Sequence, residues 1–241
     1  MTEDFYIGYL PKTPGSLGRW IARIVAALMV AGLAIGACLI FGQAPFADSG
    51  FEYGIYREYT GVIEEWPYPI LRTANSSVLL VAPGKHGLSR EVAGLQGKSV
   101  RLRGSLIERG PDRMIEVLPD SLHETAAGLS QTAPGLTELG SVRLRGEIVD
   151  SKCYLGVMNP GNGKVHRDCA VRCISGGAPP AIIARDEAGA TRILLLVGSD
   201  GRALNKEILS FVAEPLEVSG KLVRAGSNLV LKVEPADFRR E

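Results

Sequence analysis

Residues 98–118, KSVRLRGSLIERGPDRMIEVL, and residues 215–233, PLEVSGKLVRAGSNLVLKV, are two versions of one pattern. Each has alternating apolar positions, a glycine at mid-strand (Gly104, Gly220), a short glycine-bearing turn and a second alternating run. Alternation at a period of two writes a half-buried strand. A glycine inside such a strand marks a bulge or sharp bend of the kind that closes small barrels. The correspondence continues upstream. TGVIEE, SVLLVAPGKHG and a helix-like SREVAGL precede the first pair, and RGEIVD, TRILLLVGSDG and a helix-like NKEILSFV precede the second. Ser89 and Asn205 stand where N-caps would stand, two residues ahead of Glu91 and Glu207, whose charge suits a first helical turn.

Two strands, a short helix and two more strands resemble the oligonucleotide/oligosaccharide-binding barrel (OB-fold), a small Greek-key barrel of about five strands. The resemblance is topological and spans most of residues 58–238. It implies a mainly β chain with two tandem OB-like barrels, at 51–120 and 140–241, joined by a linker at 121–139 rich in Ala, Gly, Ser, Thr and Pro. The 29 glycines and 14 prolines, spread along all 241 residues, agree with many short strands and turns. With 27 basic against 26 acidic residues there is no global field to draw in nucleic acid. The strands also carry almost none of the aromatics on which bases stack, so no nucleic-acid partner is expected. VRLRG, at 100–104 and again at 142–146, reads as the solvated outer face of an alternating strand.

Ile24 to Phe41 is eighteen residues without a charge, just enough to cross a hydrocarbon core as a helix. Lys12, Arg19 and Arg23 precede it, whereas Asp48, Glu52 and Glu58 follow with Arg57 as the nearby base. The positive-inside rule then leaves residues 1–23 in the cytoplasm and carries the remainder across the membrane, which in a bacterium is the inner membrane with a periplasmic C-terminal part. A cleaved signal peptide is the competing reading; its apolar core is usually shorter, and Pro45 spoils the candidate cleavage positions near Ala44 and Ala47. Gly32 and Gly36 have the G-x-x-x-G spacing through which two such helices approach, which suggests a homodimer. Cys38 reads as packing material within the span. The aromatics of FEYGIYREY at 51–59, with Trp66 and Tyr68, fit either the lipid interface or a cover over the first barrel; the interface suits the earliest of them.

The two halves part company after their first strand. The second carries an insert at 151–190 that holds every cysteine outside the apolar run: Cys153, Cys169 and Cys173, together with His166. DCAVRCI reads as a short helix stopped by Gly176, Gly177 and the Pro179–Pro180 pair. Cys169 and Cys173, four apart, then share a helix face, while His166 belongs to the preceding loop. Three thiolates and an imidazole make a sensible tetrahedral set for zinc or iron. A disulfide from Cys153 to Cys169 or Cys173 with one thiol left over, and thiol redox or nucleophilic chemistry at Cys169 or Cys173, are the alternatives. His86 and His123 read as surface residues, and the chain has no G-x-S-x-G, Walker A, dinucleotide or H-E-x-x-H motif.

The run D-x-x-C-Y-x-G followed by G-x-G-x-x-H-x-x-C-A-x-x-C-x-x-G-G-x-P-P, from Asp150 to Pro180, resembles a motif recurring in exported or membrane-anchored bacterial proteins of uncharacterised function. The resemblance implies that the Cys and His residues act as a unit and brings no activity with it. The expectation is a metal-binding protein, structural or delivering, with partners in the membrane or periplasm, rather than an enzyme.

Overall fold

A computed structural model of the chain describes residues 12–43, 49–74, 76–125, 136–185 and 190–241. The chain divides into two compact units, 1–46 and 47–241. In the first, α1 (Gly15–Phe41) takes in the whole apolar run, and none of its residues is buried. It is long and apolar enough to span a membrane or to be a signal sequence. The positions near Ala44 and Ala47 weighed for cleavage lie outside the described residues.

The second unit runs through β1 (Ser49–Phe51), β2 (Arg57–Glu64), β3 (Ile70–Arg72), β4 (Ser77–Val81), β5 (Ser99–Arg109), β6 (Asp112–Val117), β7 (His123–Glu124) and β8 (Thr137–Asp150). The insert expected over 151–190 contains α2 (Arg167–Ser175) and ends earlier, because residues from Pro180 are already a barrel strand, β9 (Pro180–Arg185); β10 (Thr191–Gly198), β11 (Pro215–Ala225), β12 (Asn228–Val233) and β13 (Phe238–Arg240) follow. They form two closed five-stranded barrels in tandem. The first has the order β5-β2-β3-β4-β6 with β6 returning to β5; the second has β11-β8-β9-β10-β12 with β12 returning to β11. Each closes through one parallel pairing, Leu79 opposite Met114 and Leu195 opposite Val230. Two tandem OB-like barrels are what the repeat predicts; the additional strand of each, β3 and β9, falls in the stretches expected to connect the predicted strands.

The mid-strand glycines sit where the barrels close. Gly104 faces Arg57 of β2 on one side and Val117 of β6 on the other. A Cβ there would stand 2.5 Å from the Glu116 carbonyl oxygen, and one on Gly220 would stand 2.5 Å from that of Lys232. Only a hydrogen fits at either bend.

The two stretches expected as short helices form none. SREVAGL is a run of tight turns in which the amides of Glu91 and Val92 both reach the Leu88 carbonyl, and NKEILSFV ends in a single 3-10 turn at Leu209–Phe211. Segments this short gain too few hydrogen bonds to offset helix nucleation. Their structure comes from anchoring Leu88 and Val92 in one barrel core and Ile208 and Val212 in the other. Part of the expected linker is also structured. β7 pairs with Val100 and Arg101 of β5, and β8 begins at Thr137; residues 126–135 lie outside the described ones.

Each barrel has its own core, built around Ile63, Leu80 and Leu102 in the first and Ile148, Ile182 and Leu231 in the second. A third core lies between them. Tyr68, Ile70, Ile107 and Met114 of the first barrel meet Val149, Leu195, Val197 and Val230 of the second. Tyr68 is buried there, with its hydroxyl donating to the Leu196 carbonyl at 2.6 Å. The earlier Tyr53 and Tyr56 are exposed.

Candidate metal centre

The insert is folded by hydrogen bonds that begin where β8 ends. The Ser151 amide and hydroxyl both donate to the Pro179 carbonyl, at 3.1 and 2.7 Å, which ties the start of the insert to its end. Asp150 Oδ1 accepts the Cys153 amide at 2.8 Å, turning the chain inward. Cys153–Val157 is one wide turn closed by the Met158 amide on the Cys153 carbonyl, a geometry often found at functional sites. The chain returns through Gly163, whose amide donates to Glu147 Oε1 at 2.5 Å, into a 3-10 turn at Lys164–His166 that runs straight into α2. His166 thus stands just ahead of the helix, as its spacing from Cys173 requires. Asn205, expected to cap a helix of its own, instead donates its amide to the carbonyls of Ile174 and Ala178, at 2.7 and 2.9 Å. It ties the end of α2 to the turn that follows, sharing the Ile174 carbonyl with the Gly177 amide.

These turns bring together all four residues singled out in the sequence. Ligand atoms of Cys153, His166 and Cys169 lie within 4.8 Å of one another, and so do those of Asp150, Cys153 and Cys173. Cys153 belongs to both groups. The sulfurs of Cys153 and Cys169 are 4.0 Å apart. Two thiolates on a tetrahedral zinc with bonds of about 2.3 Å stand about 3.8 Å apart, so the pair already has the spacing of ligands. All three insert thiols are free.

Asp150 has no role in the sequence reading beyond opening the motif. Fully buried, it accepts His166 Nε2 through Oδ2 at 3.1 Å while Oδ1 holds the Cys153 amide. A carboxylate placed in this way fixes the tautomer and orientation of a ligating imidazole and leaves Nδ1 as the nitrogen available to an ion. With both oxygens engaged, Asp150 acts on the ligands more naturally than as one of them.

The thiols are electrostatically unequal. The hydrogen bond from the Cys153 thiol, followed by nearby Lys85, brings Cys173 down to about 7 against burial and Asp150. The same bond, with burial and Asp150, pushes Cys153 far up. Of the two, Cys173 is the more readily ionised and Cys153 the less.

Two lysines missed by sequence reasoning complete the surroundings. Lys85, in the loop after β4 of the first barrel, places Nζ 2.8 Å from Cys169 Sγ and 3.8 Å from Cys173 Sγ. The bond to Cys169 raises the Lys85 pKa above its usual value. Lys152 is 2% exposed and donates to the carbonyls of Ala82 and Gly84, at 2.9 and 2.7 Å, while pairing with Glu116 at 2.5 Å. The same loop touches the end of α2, where the Gly87 amide donates to the Gly176 carbonyl at 3.0 Å. A Cβ on either glycine would collide with the facing backbone. The cysteine cluster therefore lies where the insert meets the first barrel. No sequence pattern announced this, because the contributing loop is PGKHG from the other half of the repeat. His86, next to Lys85, and His123 are both exposed and take no part.

No family model, no curated protein and no solved structure matches the chain. What the cluster does is argued from its own chemistry: three sulfurs and an imidazole, with a carboxylate behind and an ammonium beside them, form groupings that could hold a metal ion.

Proposed function

We propose that the chain is a membrane-anchored periplasmic protein whose insert holds one zinc or iron ion through Cys153, His166, Cys169 and Cys173. Its role is structural or delivering, inside a membrane-associated assembly. The observation that carries this reading is the convergence of Cys153, His166 and Cys169 within 4.8 Å, with Cys173 joined to them through Cys153. Thiolate and imidazole together suit a borderline-soft cation. The resemblance of Asp150–Pro180 to a motif of exported or membrane-anchored bacterial proteins supports the placement, and so does the excess of basic residues ahead of the apolar run. Protein partners belong to the same compartment, and Gly32 with Gly36 offers a surface for a second copy.

The test is metal content together with a thiol count on the full chain, purified in mild detergent without chelator, with Cys38 counted separately. Near one equivalent of metal, with the three insert thiols reacting only after chelator and denaturant, is the expected result. Serine at Cys153, Cys169 or Cys173 should then lower metal content alike, because each change removes one of four ligands. No metal and a single reactive insert thiol would replace this reading with a disulfide-stapled scaffold. The lowered pKa of Cys173, about 7, favours a second reading, a thiol-dependent redox or cofactor-handling enzyme. That reading expects one cysteine whose loss abolishes activity and leaves metal content and fold intact.

A further inference from the structure

We infer that the centre is completed by the first barrel, with Lys85 as the positioning residue whose ammonium offsets the charge of the bound thiolates and holds Cys169 in its ligating position. The inference rests on the metal reading of the cluster and adds a component from outside the insert.

Three observations carry it. The first is partner choice: the side-chain bonds of Lys85 go to the sulfurs of Cys169 and Cys173, and among the described residues it forms no ion pair with a carboxylate. Lys152, the other nearby cation, is committed to Glu116 and two backbone carbonyls. The second is rigidity. The loop bearing Lys85 is held at Ala82 and Gly84 by Lys152, at Ala82 by its own amide on the His86 carbonyl, and at Gly87 by Gly176. An ammonium on a loop held by four hydrogen bonds is placed beforehand, so little ordering is needed when an ion arrives. The third is position. Cys153, Cys173 and His166 are buried, whereas Cys169 is partly exposed, so Lys85 lies against the ligand that solvent reaches.

Charge gives the bond its consequence. Three thiolates and a neutral imidazole around a divalent ion leave one net negative charge, and buried Asp150 adds a second. In a poorly solvated site these repel one another strongly. One ammonium at 2.8 Å from a ligating sulfur offsets part of that repulsion and donates a charge-assisted hydrogen bond to the sulfur. Removing the supporting partner of a metal ligand typically lowers metal affinity about 10–100-fold.

The probe is Co(II), titrated into the metal-free full chain in detergent. Sulfur-to-cobalt charge-transfer absorption reports thiolate ligation, and competition with a chromophoric chelator reports affinity. Lys85→Met should weaken Co(II) binding about 10–100-fold, Lys85→Arg should recover most of the loss, and Lys221→Met, which removes the same charge from an exposed site on the second barrel, should bind like the wild type. Thermal unfolding of the metal-free Lys85→Met protein distinguishes lost affinity from lost fold; an unchanged midpoint is expected. Equal affinity in wild type and Lys85→Met overturns the inference while leaving the metal reading intact. Equal weakening by Lys221→Met also overturns it, because a diffuse field would then be responsible. A wild-type chain without charge-transfer absorption overturns the metal reading, and this inference with it.

Discussion

Asp150 and Cys173 hold the most legible chemistry at the scale of single residues. Both carboxylate oxygens of Asp150 are spent, one on the His166 ring and one on the Cys153 amide. Asp150→Asn keeps the shape but offers the ring a neutral amide, and metal affinity should fall about 10–100-fold. Competition with a chelator measures this; an unchanged affinity would mean that the imidazole needs no such partner. Cys173 makes a prediction in pH. Its thiol ionises near 7 in the folded protein against 9.0 for the free group, so folding favours the thiolate. That stabilisation is complete above pH 9.0 and disappears as pH falls through about 7. Cys153, pushed the other way by the same bond, acts in the opposite sense above pH 9.0. Urea midpoints of the metal-free protein should therefore rise between pH 7 and 9 relative to those of Cys173→Ala, and parallel curves would refute the assignment.

Secondary-structure elements were legible in proportion to their own periodicity. The long strands β5 and β11 follow alternating apolar positions because one face of each packs on a core, whereas β3, β4, β9 and β10 are buried along most of their length, and β3 and β9, which lack that alternation, were not legible as strands. The glycine bends were legible because a side chain cannot stand where the hairpin closes. Gly220→Ala would place a methyl group 2.5 Å from the Lys232 carbonyl oxygen. It should destabilise the second barrel by about 1–3 kcal/mol, read as a lowered urea midpoint. Substitution at Gly94, where a Cβ meets open space, is a poor control because its φ is +80°; alanine at Gly50 has neither difficulty and should be close to silent. The apolar spacing of SREVAGL and NKEILSFV was real but too short to become helix, and tertiary anchoring of Leu88, Val92, Ile208 and Val212 decided their form.

The two barrels of the folded unit share a core and one buried cation. From the sequence Tyr68 fits either the lipid interface or a cover over the first barrel, and Lys152 is an unremarked neighbour of Cys153; in the structure both tie the barrels together. Lys152→Met would strand Glu116 without its partner and leave the Ala82 and Gly84 carbonyls short of a donor. A cost of about 3–5 kcal/mol is expected. Because the same loop carries Lys85, the change should also weaken Co(II) binding. A variant that loses stability but binds Co(II) as the wild type does would separate the joint between the barrels from the centre.

The sequence by itself determined what depends on neighbours along the chain. An uninterrupted apolar run makes α1, two alternating repeats make two barrels, and four residues of one insert make a set of possible ligands, because period, turn chemistry and loop closure over some twenty residues are local matters. Only the tertiary structure decided that the barrels share a third core, that Asp150 supports two of the site residues, and that Lys85 reaches Cys169 from 84 positions away. Electrostatic and packing interactions act through space, and no spacing within either half of the repeat encodes which loop of one barrel will lie against the insert of the other.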